Sequence, residues 1–232
     1  MVGRWLAWLL AVLPLAATAS GTIAIDVGHY LERPGVISAH GRPEFEFNLD
    51  LARDIDKELQ ARGRSTQLIG ADGDMNSLAR RPRQAAGAAL FISVHHDSMQ
   101  DKLLSTWTYE GVERKYGDRF DGFSLFVSRE NPGWKKGLRC ASAIGARLIK
   151  AGFKPSLYHA DRNVGENRPF ADKPNGVHYF DRLAVLRDAK MPALLFEAGV
   201  IINRTEELRM ADPAERQQIA AAVAGAIEEC MP

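Results

Sequence analysis

The chain has 232 residues, of which 46% are hydrophobic, and its formal net charge at pH 7 is +1. This length and apolar content are typical of one well-packed domain rather than two. Because acidic and basic residues balance, the composition excludes a strongly basic protein and indicates no nucleic-acid partner. One basic cluster, "RRPR" at residues 80–83, falls in a segment with a helical pattern, where we interpret it as a solvated helix face.

The first nineteen residues have the pattern of a secretory signal peptide. A single basic residue, Arg4, precedes an apolar run at residues 5–16, and small residues follow at 17–19. The run is shorter than the roughly 18–20 apolar residues that a membrane-spanning helix needs. We therefore expect residues 1–19 to be removed and residues 20–232 to form an exported, periplasmic or extracellular domain without a stable membrane anchor.

Short apolar runs alternate with longer amphipathic segments along the rest of the chain. They predict strands at 22–26, 65–70, 89–95, 122–128 and 192–199, and helices at 43–63, 75–88, 134–152 and 213–229. Residues 155–182 are predicted to form a long loop. The alternation predicts a single α/β domain with a twisted, mostly parallel (mixed) sheet of about six strands and helices on both faces.

The two cysteines, Cys140 and Cys230, each lie in a predicted helix. An exported protein permits their oxidation to a disulfide, whereas buried free thiols are also ordinary on apolar helix faces. The sequence leaves both states open, and we favour the free thiols.

Three predicted strands end in residue types that suit metal or acid–base chemistry. The first ends in Asp26 and is followed by His29, the third delivers His95, and the last delivers Glu197. Each residue alone is more often structural than functional. However, the carboxyl ends of strands in such a sheet meet at one edge, where sites gather. Two imidazoles and a carboxylate at one edge are what a zinc hydrolase needs.

A third protein ligand is expected from the first helix, because catalytic zinc usually has three. Two candidates, Glu44 and Glu46, lie near its beginning. An acid in the first turn of a helix also has an ordinary role, since it interacts favourably with the helix dipole. Spacing alone does not choose between the two glutamates.

Four segments of the sequence together resemble the zinc-dependent N-acetylmuramoyl-L-alanine amidases, which cut bacterial cell-wall peptidoglycan. They are "IDVGH" (25–29), "EFNLDL" (46–51), "FISVHHDS" (91–98) and "PALLFEAGVIIN" (192–203). Their order and separations fit the family, and the resemblance spans roughly residues 22–229. Among the departures, Val27 stands where proline is common and Tyr30 where glycine is common.

The resemblance implies a Zn²⁺ cofactor and a site made by four residues. Its motif selects Glu46, two residues before Asn48, so the implied metal ligands are His29, Glu46 and His95, and the implied catalytic acid/base is Glu197. The implied reaction is hydrolysis of the amide bond between N-acetylmuramic acid and L-alanine in peptidoglycan or muropeptides. Residues 128–134 leave no room for the zinc-blocking helix of some members. The need for an activator protein stays open.

Further side chains are assigned to substrate binding and to the surroundings of the ligands. The predicted substrate-binding residues are His96, Arg162, Asn163, Arg168 and Tyr179. Asp26 is interpreted as a group that orients an imidazole, and His159 and His178 as surface residues. Two rival functions are a zinc peptidase or carboxypeptidase acting on peptides, and a non-catalytic wall-binding module.

Overall fold

The computed structural model describes residues 21–232. The predicted signal peptide at residues 1–19 lies outside the described residues and stays a prediction. Within the described range, the helices are all too short or too polar to cross a membrane.

A seven-stranded sheet forms the centre of the fold. Its strands, in chain order, are β1 (Ile23–Val27), β2 (Thr66–Ile69), β3 (Leu90–Asp97), β6 (Ser124–Val127), β7 (Phe170–Asp172), β8 (Val177–Tyr179) and β9 (Ala193–Val200), while β4 (Ser105–Tyr109) and β5 (Val112–Tyr116) form a separate hairpin. The order across the sheet is β2-β1-β3-β9-β6-β8-β7. Strands β2, β1, β3 and β9 are parallel, whereas β6 runs antiparallel to β9. The predicted mixed, mostly parallel sheet is confirmed, with one strand more than expected.

Six α-helices accompany the sheet in the described part of the chain. They are α1 (Glu44–Ala61), α2 (Arg80–Gln84), α3 (Trp134–Lys150), α4 (Ala184–Arg187), α5 (Arg204–Ala211) and α6 (Pro213–Cys230). Helices α1, α3 and α6 bury the larger apolar core against one face of the sheet. In α1 the buried row is Phe47, Leu51, Ile55 and Leu59, and such a row at helical spacing fixes the face that the helix turns to the sheet.

The opposite face of the sheet is covered more thinly. Among residues 21–232, only the short helices α2 and α4 pack on its smaller apolar core, which includes Phe91, Phe126 and Leu195. Clefts open on this side beside His29 and His95, at the carboxyl ends of β1 and β3. This thin cover explains why clefts form on this face.

The structure corrects two parts of the predicted helix at 75–88. Only Arg80–Gln84 is helical, since Gly87 adopts a left-handed φ of 85° and the residues before Arg80 form turns. Arg81 is buried rather than solvated, with 3% of its surface exposed. The predicted loop at 155–182 also contains β7 and β8, whose three residues each are too few to show a hydrophobic period.

A disulfide joins Cys140 of α3 to Cys230 at the end of α6. The expectation of free thiols is therefore wrong. The bond connects residues 90 positions apart in the sequence, and closing so long a loop stabilises a fold by about 2–5 kcal/mol. It lies on the helical face of the sheet, among the residues of the larger core.

Candidate active site

Two imidazoles and one carboxylate meet at the carboxyl edge of the sheet. Nε2 of His29 lies 3.0 Å from Oε2 of Glu44, and Nδ1 of His95 lies 3.1 Å from Oε1 of the same carboxylate. One ligand atom from each of the three side chains lies within 4.8 Å of the other two. The donor set of two histidines and one glutamate is one that zinc uses in hydrolases.

The strand ends place the two histidines with little freedom. His29 follows β1 in the left-handed region, with φ of 66°, a conformation that costs energy for a residue with a side chain and clusters at functional sites. Gly28 precedes it, because a β-carbon at residue 28 would collide with the imidazole of His95. The sequence Gly28-His29 is therefore what lets both rings share one edge.

A turn before α1 completes the surroundings of the Glu44 carboxylate. Gly35 has φ of 81°, and a β-carbon there would collide with Oε2 of Glu44 and press on the ring of His29. The backbone N–H of Val36 donates to Oε2 of Glu44 at 3.2 Å. Burial opposes ionisation of Glu44, but hydrogen bonds from His29 and His95 hold its pKa well below the usual value of a glutamate.

The choice between the two glutamates is corrected by the structure. Glu44 joins the two histidines, whereas the carboxylate of Glu46 is 52% exposed and pairs with Arg42 at 3.1 Å. The reason is helical spacing: Glu44 lies four residues before Asn48, on the same face of α1. Nδ2 of Asn48 donates to Oε1 of Glu44 and to the carbonyl oxygen of Gly28, both at 3.2 Å. The structure therefore brings Glu44, and not Glu46 as predicted, beside the two histidines.

His96 was predicted to bind substrate, but it does not line the cleft. It supports the site from the core side of the sheet. It is buried at 2% exposure, its ring packs on Phe47, and its Nδ1 lies 2.8 Å from Oδ1 of Asn48. Burial lowers its pKa to about 3, so the ring is neutral at physiological pH. Successive residues of a strand point to opposite faces, so His95 reaches the cleft and His96 the core.

Asp26 contacts no imidazole, which corrects the expectation that it orients one. Its carboxylate accepts from Nη1 of Arg81 and from Oγ of Ser93, both at 2.7 Å. Arg81 in turn donates to the carbonyl oxygens of Val27 and His29. The buried pair of Asp26 and Arg81 therefore holds the backbone at His29, and it acts on the site through the main chain.

Glu197 lies beside His95 on the neighbouring strand. The two residues are register partners in the β3–β9 pair, and both line one cleft. Oε2 of Glu197 is buried and has no hydrogen-bond partner among the described residues. Burial, and then the nearby carboxylates of Asp97 and Glu44, raise the pKa of Glu197 well above the usual value. A carboxyl group with these properties can hold and release a proton near neutral pH.

A network of charges forms the far wall of this cleft. His159 lies between two carboxylates, with Nε2 2.6 Å from Oδ2 of Asp97 and Nδ1 2.9 Å from Oε2 of Glu166. Arg168 donates to Glu166 and stacks 3.3 Å above the ring centroid of Phe180. Burial disfavours a charge on His159, but Asp97 and Glu166 outweigh it and raise its pKa to about 9.

The other residues predicted for the 155–182 region have different positions. His159 and His178 are 5% and 0% exposed, so interpreting them as surface residues is wrong. Tyr179 packs on the opposite, helical face of the sheet, near Trp134 and Arg129, and so cannot line the cleft. Arg162 and Asn163 are exposed on the loop, and their predicted contact with substrate, like that of Arg168, stays a prediction.

Two imidazoles and two carboxylates lie at one edge of an α/β sheet beside a cleft, and this is a set of side chains that metal-dependent hydrolases use. Comparison with known proteins identifies the family. The model of the N-acetylmuramoyl-L-alanine amidase family Amidase_3 matches residues 23–229. The chain belongs to this family of peptidoglycan amidases.

Solved structures of amidases share the fold. Ami1 of Mycobacterium smegmatis is 19% identical with a TM-score of 0.72, covering 92% of this chain and 97% of that one. The catalytic domain of CwlV from Bacillus (Paenibacillus) polymyxa var. colistinus is 21% identical with a TM-score of 0.67, covering 90% and 97%. A relative of Bacillus subtilis (strain 168), "Uncharacterized protein YqiI", is 25% identical over 209 residues, which are 89% of this chain and 83% of that protein.

Proposed function

We propose that the protein is a zinc-dependent hydrolase that cleaves the amide bond between N-acetylmuramic acid and L-alanine in peptidoglycan. The observation that carries this proposal is the meeting of His29, Glu44 and His95, with ligand atoms within 4.8 Å of one another. Glu197 lies on the adjacent strand. The proposed ligand set replaces Glu46 of the sequence prediction with Glu44.

The residues present fit a zinc ion in number and in chemistry. Three protein ligands leave a fourth position for water or substrate. Glu44 is held ionised, and its two oxygens are already oriented by Val36 and Asn48. When bound, the ion would supply Lewis-acid activation of water and of the substrate carbonyl.

In the proposed mechanism Glu197 moves the proton. Its carboxylate takes a proton from the attacking water and then gives it to the amide nitrogen of L-alanine as that group departs. The raised pKa of Glu197, which follows first from its burial, suits the second of these steps. Asp26 and Arg81 keep the backbone of His29 fixed during the reaction.

The open face of the sheet suits a substrate that is attached to a long glycan. Clefts lie on both sides of His95, so a chain can enter from one side and leave on the other. The proposed signal peptide at residues 1–19 would deliver the domain to the periplasm or cell exterior, where peptidoglycan lies. The disulfide between Cys140 and Cys230 is suited to such an oxidising compartment.

The experiment that tests this function is hydrolysis of purified muropeptides by the purified chain, with and without a chelator. We expect release of peptides that begin with L-alanine, loss of this activity after metal removal, and recovery with Zn²⁺. Glu197→Gln should lower kcat by about 10²–10⁴-fold with zinc still bound. Glu130→Gln, which changes an exposed glutamate, is the control and should keep full activity.

The rival functions predict different products. A zinc peptidase would cleave only inside the peptide and leave the muramoyl–alanine bond intact. A wall-binding module would retain muropeptides without cleaving them, and Glu197→Gln would change nothing. Either of these results would contradict the proposed amidase function.

A further inference from the structure

A second cleft, of about 250 Å³, lies on the β1 side of His95, away from the cleft of Glu197. It includes His29 and His95 and extends over Tyr30, Arg33, Asn76 and Leu78. The two clefts therefore share the imidazole of His95. A substrate whose scissile bond lies at His95 therefore extends one part, or arm, into each of the two clefts.

The two clefts differ in whether their charged groups are paired. The cleft of Glu197 is lined by three acidic side chains and by the imidazoles of His95 and His159, and His159 pairs with two of the three carboxylates. In the second cleft, the charge of Arg81 is balanced by Asp26. Arg33 is exposed, and no carboxylate within residues 21–232 pairs with it. The unpaired charge of Arg33 thus favours an anionic arm of the substrate in the second cleft.

The backbone fixes the position of Arg33 beside the candidate metal ligands. Tyr30 and Arg33 exchange two hydrogen bonds, of 3.3 Å and 3.0 Å, which close a tight turn directly after His29. The N–H of Leu31 donates to the carbonyl oxygen of Gly73 at 3.0 Å, and Arg81 holds the carbonyl oxygen of His29. The turn is therefore anchored on both sides, and Tyr30, which departs from the family's usual glycine, forms part of its wall.

We propose that the Tyr30–Arg33 turn binds the peptide arm of the substrate and that Arg33 pairs with the carboxylate of an acidic residue following L-alanine. This inference rests on the proposed amidase function. It makes Arg33 a residue that determines specificity for acidic peptides and has no part in bond cleavage. The glycan arm then extends over the cleft of Glu197.

The test compares two substrates that differ in the charge of the peptide arm, N-acetylmuramoyl-L-alanyl-D-glutamate and N-acetylmuramoyl-L-alaninamide. We expect Arg33→Gln to lower kcat/KM about tenfold for the acidic substrate, mainly through KM, and to leave the neutral substrate unchanged. Arg33→Lys, which keeps the charge, should retain most of the preference. Raising the salt concentration should weaken the preference of the wild type.

The matched control is Arg53→Gln, which removes an exposed arginine from α1, and it should leave both substrates unaffected. If Arg33→Gln leaves both kcat/KM values unchanged, the inference is overturned and the amidase function stands. Equal losses for both substrates would also overturn it, because they would place the shared muramoyl group in this cleft. If the wild type cleaves neither substrate, the amidase function fails and the inference fails with it.

Discussion

Glu44 and Glu46 lie two residues apart at the beginning of α1, yet their carboxylates have opposite surroundings. The side chain of Glu44 is 6% exposed and bridges His29 and His95, whereas that of Glu46 is 52% exposed and pairs with Arg42. Residues two apart on a helix point about 200° away from each other. Only one of the two can therefore reach the edge of the sheet, and the helix places Glu44 there.

The turn at Gly35 is predicted to be essential to the site. Gly35→Ala would strain a left-handed backbone and press a methyl group against Glu44 and His29. We expect a loss of about 1–3 kcal/mol in the free energy of unfolding and a large loss of zinc affinity. Chemical denaturation and zinc titration measure the two effects.

The control for this substitution is Gly87→Ala. Gly87 has a similar φ of 85°, but no atom lies within 4 Å of the position of its β-carbon. It should show the backbone strain without any change in zinc affinity. Equal zinc affinities for the two variants would contradict the role given to Gly35.

The buried ion pair behind His29 is predicted to dominate the stability of this edge. Arg81→Ala would remove the ion-pair partner of Asp26, which is 0% exposed, and the loss of one partner of a buried pair costs about 3–5 kcal/mol. Arg80→Ala, on the same helix but exposed, should cost less than about 0.5 kcal/mol. Denaturant unfolding of both variants measures these costs. Similar losses in the free energy of unfolding would contradict a dominant role of the Asp26–Arg81 pair.

The network around His159 is predicted to stabilise the fold in a pH-dependent way. Burial opposes its charge, but Asp97 and Glu166 raise the pKa of His159 to about 9, above the unfolded value of about 6.5. The contribution of charged His159 to the free energy of unfolding is therefore fully present below pH 6.5 and is lost as the pH rises through 9. We expect His159→Asn to cost about 3 kcal/mol more at pH 6 than at pH 9.5.

Unfolding of wild type and variant at the two pH values measures that difference. Asn163→Ala changes an amide in the same loop that does not titrate, so any loss it causes should be the same at both pH values. A cost of His159→Asn that does not depend on pH would contradict a charged His159 in the folded protein.

The sequence predicted the parts of the site that follow from strands. His29, His95 and Glu197 come at or directly after the carboxyl ends of apolar runs, and parallel strands bring those ends to one edge. The helical row from Phe47 to Leu59 was equally clear, because its period is long and regular. These features depend on local patterns that a single sequence displays.

Features that depend on contacts distant in the sequence were missed. Arg81 looks like a surface charge until Asp26, 55 residues away, is brought to it. His159 contacts Asp97, which lies 62 residues away in the sequence. Tyr179 and His178 lie on opposite faces of β8, and this strand is too short for the sequence to show which residue faces the cleft. The motif predicts Glu46, two residues before Asn48, whereas a helix brings the residue four positions before Asn48, Glu44, to the same face.

The most direct test of the account is the zinc affinity of Glu44→Gln and Glu46→Gln, each measured by titration of the metal-free chain. Both changes keep the size of the side chain and remove one negative charge. We predict that Glu44→Gln weakens zinc binding by more than about a hundredfold and that Glu46→Gln binds one zinc ion as tightly as the wild type. Unchanged affinity in Glu44→Gln, or loss of affinity in Glu46→Gln alone, would contradict the assignment of His29, Glu44 and His95 as the metal site.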